Sequence, residues 1–152
     1  MRRSERKKHQ IELLKAFGEK NIVCEYGGWM VFLRPQQITI GSLVISLWDY
    51  PAESIGTIRN ESMVSARELI SMVELSLKNE LAPEKFNYLA LMMVDPQVHF
   101  HVIPRYSRPV LFNEGEYADD AWPKPPNLQC ALDLPPETRT KLFARLKDSL
   151  QT

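Results

Sequence analysis

Cysteine, histidine and net charge are all scarce in this 152-residue chain. There are two cysteines and three histidines, and 19 basic side chains are cancelled by 19 acidic ones. Two thiols, Cys24 and Cys130, are too few for a disulfide framework, so the core has to be built from apolar packing in a reducing setting. Balanced charge excludes a global field that would steer the chain to nucleic acid or to a membrane surface. The one local bias is Arg2, Arg3, Arg6, Lys7 and Lys8, which reads as the solvated start of a helix. Glu12, Lys15, Glu19 and Lys20 interrupt the apolar residues near the N-terminus, so no secretory leader is expected there. No run approaches the ~18 apolar residues that a membrane span requires. The expectation is a cytoplasmic protein without a membrane segment.

What is present is enough apolar material for one domain spanning 1–152, since 44% of the residues are hydrophobic. Ser4 to about Lys20 predicts a first helix, with Ile11, Leu14 and Phe17 recurring on one side. A short, unbroken apolar run, Trp29 to Leu33, and a second apolar stretch, Ile38 to Leu47, follow and predict paired antiparallel strands. From Asn60 to Leu81 the residues Met63, Ala66, Leu69, Ile70, Val73 and Leu77 trace one face of a long helix that Pro83 closes. Phe86 to Val94 and Val98 to Ile103 predict two more strands. Proline-rich, irregular chain fills 107–136, and Leu142, Phe143, Leu146 and Leu150 mark a last helix over 137–150. Strands that follow one another without an intervening helix favour an antiparallel sheet, hence an α+β class with its core over 26–105.

Chemistry concentrates in one strand. Between Pro96 and Pro104, Val98, Phe100 and Val102 alternate with Gln97, His99, His101 and Ile103. Alternation predicts an amide and two imidazoles in a row on one face, each ~6–7 Å from the next. Two of the chain's three histidines share that row. Neutral imidazole is a nucleophile near neutral pH, and a phosphoramidate intermediate divides one difficult displacement into two easier ones. For one ring nitrogen to attack, the other must carry the proton and meet an acceptor, a role a backbone carbonyl would fill. The same pattern also fits the polar face of a half-buried sheet, or two ligands of a zinc site lacking a third partner nearby. Arg105 and Arg108, just past the strand, are candidates to neutralise phosphate.

Over these residues the chain resembles the histidine-triad family of nucleotide hydrolases and transferases. The family signature is His-φ-His-φ-His-φ-φ, with φ apolar, and here it stands as Gln97-Val98-His99-Phe100-His101-Val102-Ile103. The likeness extends to Gly41-Ser42-Leu43-Val44-Ile45, to Asn87-Tyr88-Leu89-Ala90-Leu91 and, more loosely, to Asp120-Ala121-Trp122-Pro123. It implies an antiparallel sheet of about five strands, with a main helix packed on it and flanking N- and C-terminal helices. It implies a nucleotide substrate, with His99 attacking its α-phosphate to form a nucleotidyl-histidine intermediate. His101 and Gln97 would contact phosphate, and Asn87 would help hold the nucleotide. The substrates implied are nucleoside phosphates, phosphoramidates or dinucleoside polyphosphates. No cofactor and no resident metal are implied, although a divalent cation such as magnesium can accompany the substrate. A homodimer is expected on the same ground.

Four positions depart from the family pattern. Gln97 replaces the first histidine, Val94-Asp95-Pro96 replaces a Gly-Gln-x-Val lead-in, and Ser42 replaces a histidine. Leu33-Arg34 stands where an acid often holds the ribose. These departures favour a competing reading, a nucleotide-binding or regulatory protein with little turnover. A third is a metal-dependent hydrolase that uses the His-x-His pair as ligands.

Overall fold

The computed structural model describes residues 1–151, so Thr152, the last residue of the expected domain, lies outside them. In chain order the elements are α1 (Arg3–Phe17), β1 (Ile22–Tyr26), β2 (Trp29–Leu33), β3 (Leu43–Leu47), α2 (Asn60–Leu81), β4 (Lys85–Leu89), β5 (His99–Arg105), β6 (Val110–Phe112), β7 (Gly115–Tyr117) and α3 (Pro136–Leu150). Five strands form one antiparallel sheet in the order β1-β2-β3-β5-β4, and β6 and β7 form a separate small hairpin. The expected α+β architecture is the one observed.

The density of apolar residues in these two stretches has a direct cause. Every residue of β2 and β3 is buried, because these strands are covered on both faces and have no solvent side to alternate with. On one face Trp29, Val31, Leu43 and Ile45 pack with Leu69, Val73 and Leu77 of α2 and Leu142 and Leu146 of α3. On the other, Met30, Phe32 and Val44 pack with Leu13 and Phe17 of α1. The helices therefore sandwich the sheet, with α1 alone on the second face. The buried His9 anchors α1 further, its Nε2 donating to the Leu47 carbonyl at 2.9 Å.

Several boundaries differ from the sequence expectation. α1 ends at Phe17, not near Lys20, because Gly18 takes φ 87° and its N–H closes on the Leu14 carbonyl at 2.8 Å. β1 is an added edge strand. Residues 38–42 form a buttressed turn instead of the first half of a strand: the buried Gln37 accepts from the Gly41 and Ser42 N–H groups and donates to the Arg34 and Ser42 carbonyls. Gly41 is required there, since a Cβ would lie 2.7 Å from Leu81 of α2 and φ is +91°. β4 stops at Leu89, and β5 runs through Pro104 to Arg105. Pro104 is tolerated because its missing N–H faces the β3 side, where the ladder has ended at Leu43 and Val102. The 107–136 segment also contains the β6–β7 hairpin.

Candidate active site

β5 places His99 and His101 on the α1 face of the sheet. Val44 and Ser46 of β3 stand opposite them, in register with His101 and His99 respectively. The two imidazole centroids are 5.0 Å apart and the rings meet edge to face at 84°. His99 is buried, and Phe17 of α1 packs on it at 5.4 Å between ring centres. Its Nδ1 lies 2.7 Å from the Gln97 carbonyl oxygen. A carbonyl only accepts, so in the neutral ring Nδ1 carries the proton and Nε2 the lone pair.

That carbonyl is held by the turn before the strand. Asp95 Oδ1 accepts the Gln97 N–H at 3.1 Å, an Asx turn that swings the chain into β5. Val98 then bridges two segments, its N–H donating to the Ala52 carbonyl at 2.7 Å and its carbonyl accepting from Leu47 N–H at 3.1 Å. Gln97 Oε1 accepts the Ala52 N–H at 3.1 Å. Gln97 thus leaves the predicted row. The ladder starts at His99, residues 95–98 form a turn, and the amide clamps the chain to residue 52.

His101 is half-buried. Its pKa is lowered to about 4, first by burial and then by the neighbouring His99 ring and the Arg34 guanidinium. It is therefore a neutral imidazole near pH 7. Arg34 Nε approaches His101 Nδ1 at 3.5 Å, a long hydrogen bond that favours the proton on Nε2.

Both histidines line a cavity of about 670 Å³ between α1 and the 91–96 segment. Lys15, Phe17 and Arg34 contribute to its wall, as do the acids Glu12 and Asp95. Asp95 Oδ2 is buried with no hydrogen-bond partner among the described residues. Leu91, Met93 and Val94 add an exposed apolar rim. No group of three or more His, Cys, Asp or Glu residues is placed to hold a metal ion among the described residues.

Asn87, Arg105 and Arg108, also singled out from the sequence, sit elsewhere; Arg108 lines a separate pocket with Glu80 and Glu84, and the first two lie together. Those two share the histidine face, but the 107–136 segment covers them. Arg105 Nε donates to Asp119 Oδ2 at 2.6 Å, Nη1 to Asn87 Oδ1 at 2.6 Å, and Nη2 to the Lys124 carbonyl at 2.7 Å. The Arg105 and Asp119 side chains are 4% and 2% exposed. Neither Asn87 nor Arg105 lines the cavity. Arg34 does. Sequence reasoning treated it only as a missing acid, although it shares the two-residue period of Met30 and Phe32. The signal was incomplete because β2 reaches the histidines only through β3, a pairing that local pattern does not reveal.

The fold matches solved histidine-triad structures over most of its length. A histidine triad protein from Marinobacter aquaeolei VT8 superposes with TM-score 0.72 at 22% identity, over 92% of this chain and 93% of that one. The chain has the histidine-triad fold. A histidine triad protein from Sinorhizobium meliloti 1021 gives 0.70 at 22% identity, over 91% and 94% of the two chains. A less similar structure, a zinc-bound histidine triad family protein from Mycobacterium smegmatis, gives 0.59 at 11% identity, over 86% and 83%. No protein-family model and no curated protein sequence matches the chain. On the histidine-triad fold, the sheet, main helix and flanking helices expected from the resemblance are all present.

Proposed function

We propose that this protein acts on a nucleotide-containing substrate at its α-phosphate, with His99 as the nucleophile. One observation carries this reading: His99 Nδ1 lies 2.7 Å from the Gln97 carbonyl, which in the neutral ring turns the Nε2 lone pair into a cavity beside a neutral imidazole and a guanidinium. In the first step the Nε2–phosphorus bond forms and the bond from phosphorus to the leaving group breaks, the leaving group taking the electron pair. Water or a second acceptor then attacks phosphorus and returns the electron pair to Nε2. His101, through Nε2–H, is suited to donate to a non-bridging oxygen as charge develops. A divalent cation such as magnesium would arrive with the substrate and is assigned no protein ligand.

A second reading is a nucleotide-binding protein of this fold with little turnover. It is favoured by Gln97, whose amide is held by Ala52 and brings no proton donor to the leaving group. Incubation with a radiolabelled dinucleoside polyphosphate separates the two. Acid-labile labelled protein, absent in His99→Ala, supports catalysis; nucleotide binding with neither adduct nor released monophosphate supports the binding protein.

We also propose a homodimer through the open edge of β4. That edge strand has no neighbour on its outer side among the described residues, and exposed Leu75, Tyr88, Leu91 and Met93 flank it. A sedimentation coefficient for one chain per particle at micromolar concentration would overturn the dimer. Two free cysteines, Cys24 buried and Cys130 half-buried, fit a reducing, cytoplasmic setting for this activity.

A further inference from the structure

We propose that Arg34, assisted by Lys15 on α1, is a substrate-binding residue that takes a second phosphate, so that this site selects nucleotides carrying at least two contiguous phosphates. The inference deepens the phosphoryl reading and relies on it only for placing the first phosphate at His99 and His101.

Three features of Arg34 point the same way. Its backbone is held from two directions, the carbonyl accepting from Gln37 Nε2 at 2.8 Å and from Arg139 of α3 at 3.4 Å. The position of its side chain is therefore inherited from a rigid turn. Its guanidinium is half-buried on the cavity wall, with Nε directed at His101 and Nη1 donating to the Gln36 carbonyl at 2.6 Å. Nη2 makes no hydrogen bond, and no carboxylate pairs with the group, among the described residues.

Burial without an acid is costly for a cation, and arginine stays charged even where burial lowers its pKa. The contrast with Arg105 is direct, because that guanidinium already has Asp119, Asn87 and a carbonyl. The free Nη2 of a charged guanidinium beside two imidazoles is a donor suited to a phosphate oxygen. Lys15 adds a second, exposed charge on the same wall. Of the acids there, Asp95 is tied to Gln97 N–H at the His99 end, and Glu12 is exposed on α1 one turn before Lys15.

Calorimetric titration of AMP and ADP into the full-length protein tests this without turnover. Wild type should bind ADP on the order of tenfold tighter than AMP, the effect of one charge-assisted hydrogen bond. Arg34→Met should close that gap to under about threefold, and Arg34→Lys should keep part of it because the charge survives but the Nη2 donors do not. Lys15→Met, an exposed substitution, should narrow the gap less, and it serves as the second variant should Arg34→Met fail to fold by circular dichroism. Equal affinity of wild type for AMP and ADP, no ADP binding at millimolar concentration, or an unchanged gap in Arg34→Met overturns the inference; so does an unchanged gap in Lys15→Met where Arg34→Met does not fold. An intact gap with no His99 adduct sinks the catalytic reading alone, and an adduct without the gap sinks this one alone.

Discussion

The His99 imidazole and the Gln97 backbone carbonyl are joined by a 2.7 Å hydrogen bond, so a main-chain atom two residues upstream sets the tautomer of the candidate nucleophile. The side chain of Gln97 acts one step further back, holding the 95–98 turn to Ala52 N–H. Gln97→Ala should therefore cost about 1–2 kcal/mol of stability by leaving that buried N–H unpaired. Turnover should fall with KM little changed, since the loss is in the positioning of His99. Gln97→Glu, which keeps the acceptor oxygen, should restore most of kcat. Steady-state kinetics with urea unfolding check both parts; a KM effect alone would place the amide on the substrate instead.

Arg105 and Asp119 form an ion pair sealed beneath the 107–136 segment. Removing one partner strands a buried charge, so Asp119→Ala should destabilise the fold by about 3–5 kcal/mol. The double variant Asp119→Ala with Arg105→Met should lose less than the two single losses summed. Chemical denaturation of the four proteins measures the coupling. A sum without coupling would mean the pair does not organise this segment.

His101 sets a pH dependence with a definite sign. Its folded pKa, about 4, lies below the ordinary 6.5, so between these values the unfolded chain binds more protons than the folded one. The stability it contributes is present above pH 6.5 and is lost as pH falls toward 4. An NMR titration of the His101 ring should show a midpoint near 4, and His101→Asn should flatten the stability profile over that window. A ring midpoint near 6.5 would contradict the burial described.

Phe17 joins α1 to the site, packing on Phe32 at 5.3 Å and on His99 at 5.4 Å between ring centres. Phe17→Ala should cost about 3–5 kcal/mol through the cavity it leaves. The His99 ring protons should also shift as the aromatic ring current is lost, whereas Phe17→Leu should retain most of the stability but not the shift. Unfolding curves and a proton spectrum are sufficient to check it.

Long-period patterns were legible from residues alone. The α2 stripe through Ala66, Leu69, Val73 and Leu77 located a helix with the observed ends, because a buried face imposes its own spacing. β1 and the β6–β7 hairpin were not legible. Ile22 to Tyr26 is short and mixed in polarity, and the hairpin strands are three residues each, too brief for a period to register. His99 and His101 were readable as neighbours on one face, since strand alternation is a local property.

Which other groups reach those histidines is a property of strand order. Arg34 arrives from β2 across β3, Lys15 and Phe17 from α1, and Asp95 from the preceding turn. The sequence by itself determined the class of fold, the histidine pair and the face they share. Tertiary structure alone decided that Gln97 turns to Ala52, that Arg105 is neutralised by Asp119, and that Arg34 keeps donors free. The physical reason is that each of these depends on a partner between 14 and 67 residues away in the chain, beyond the reach of any local periodicity.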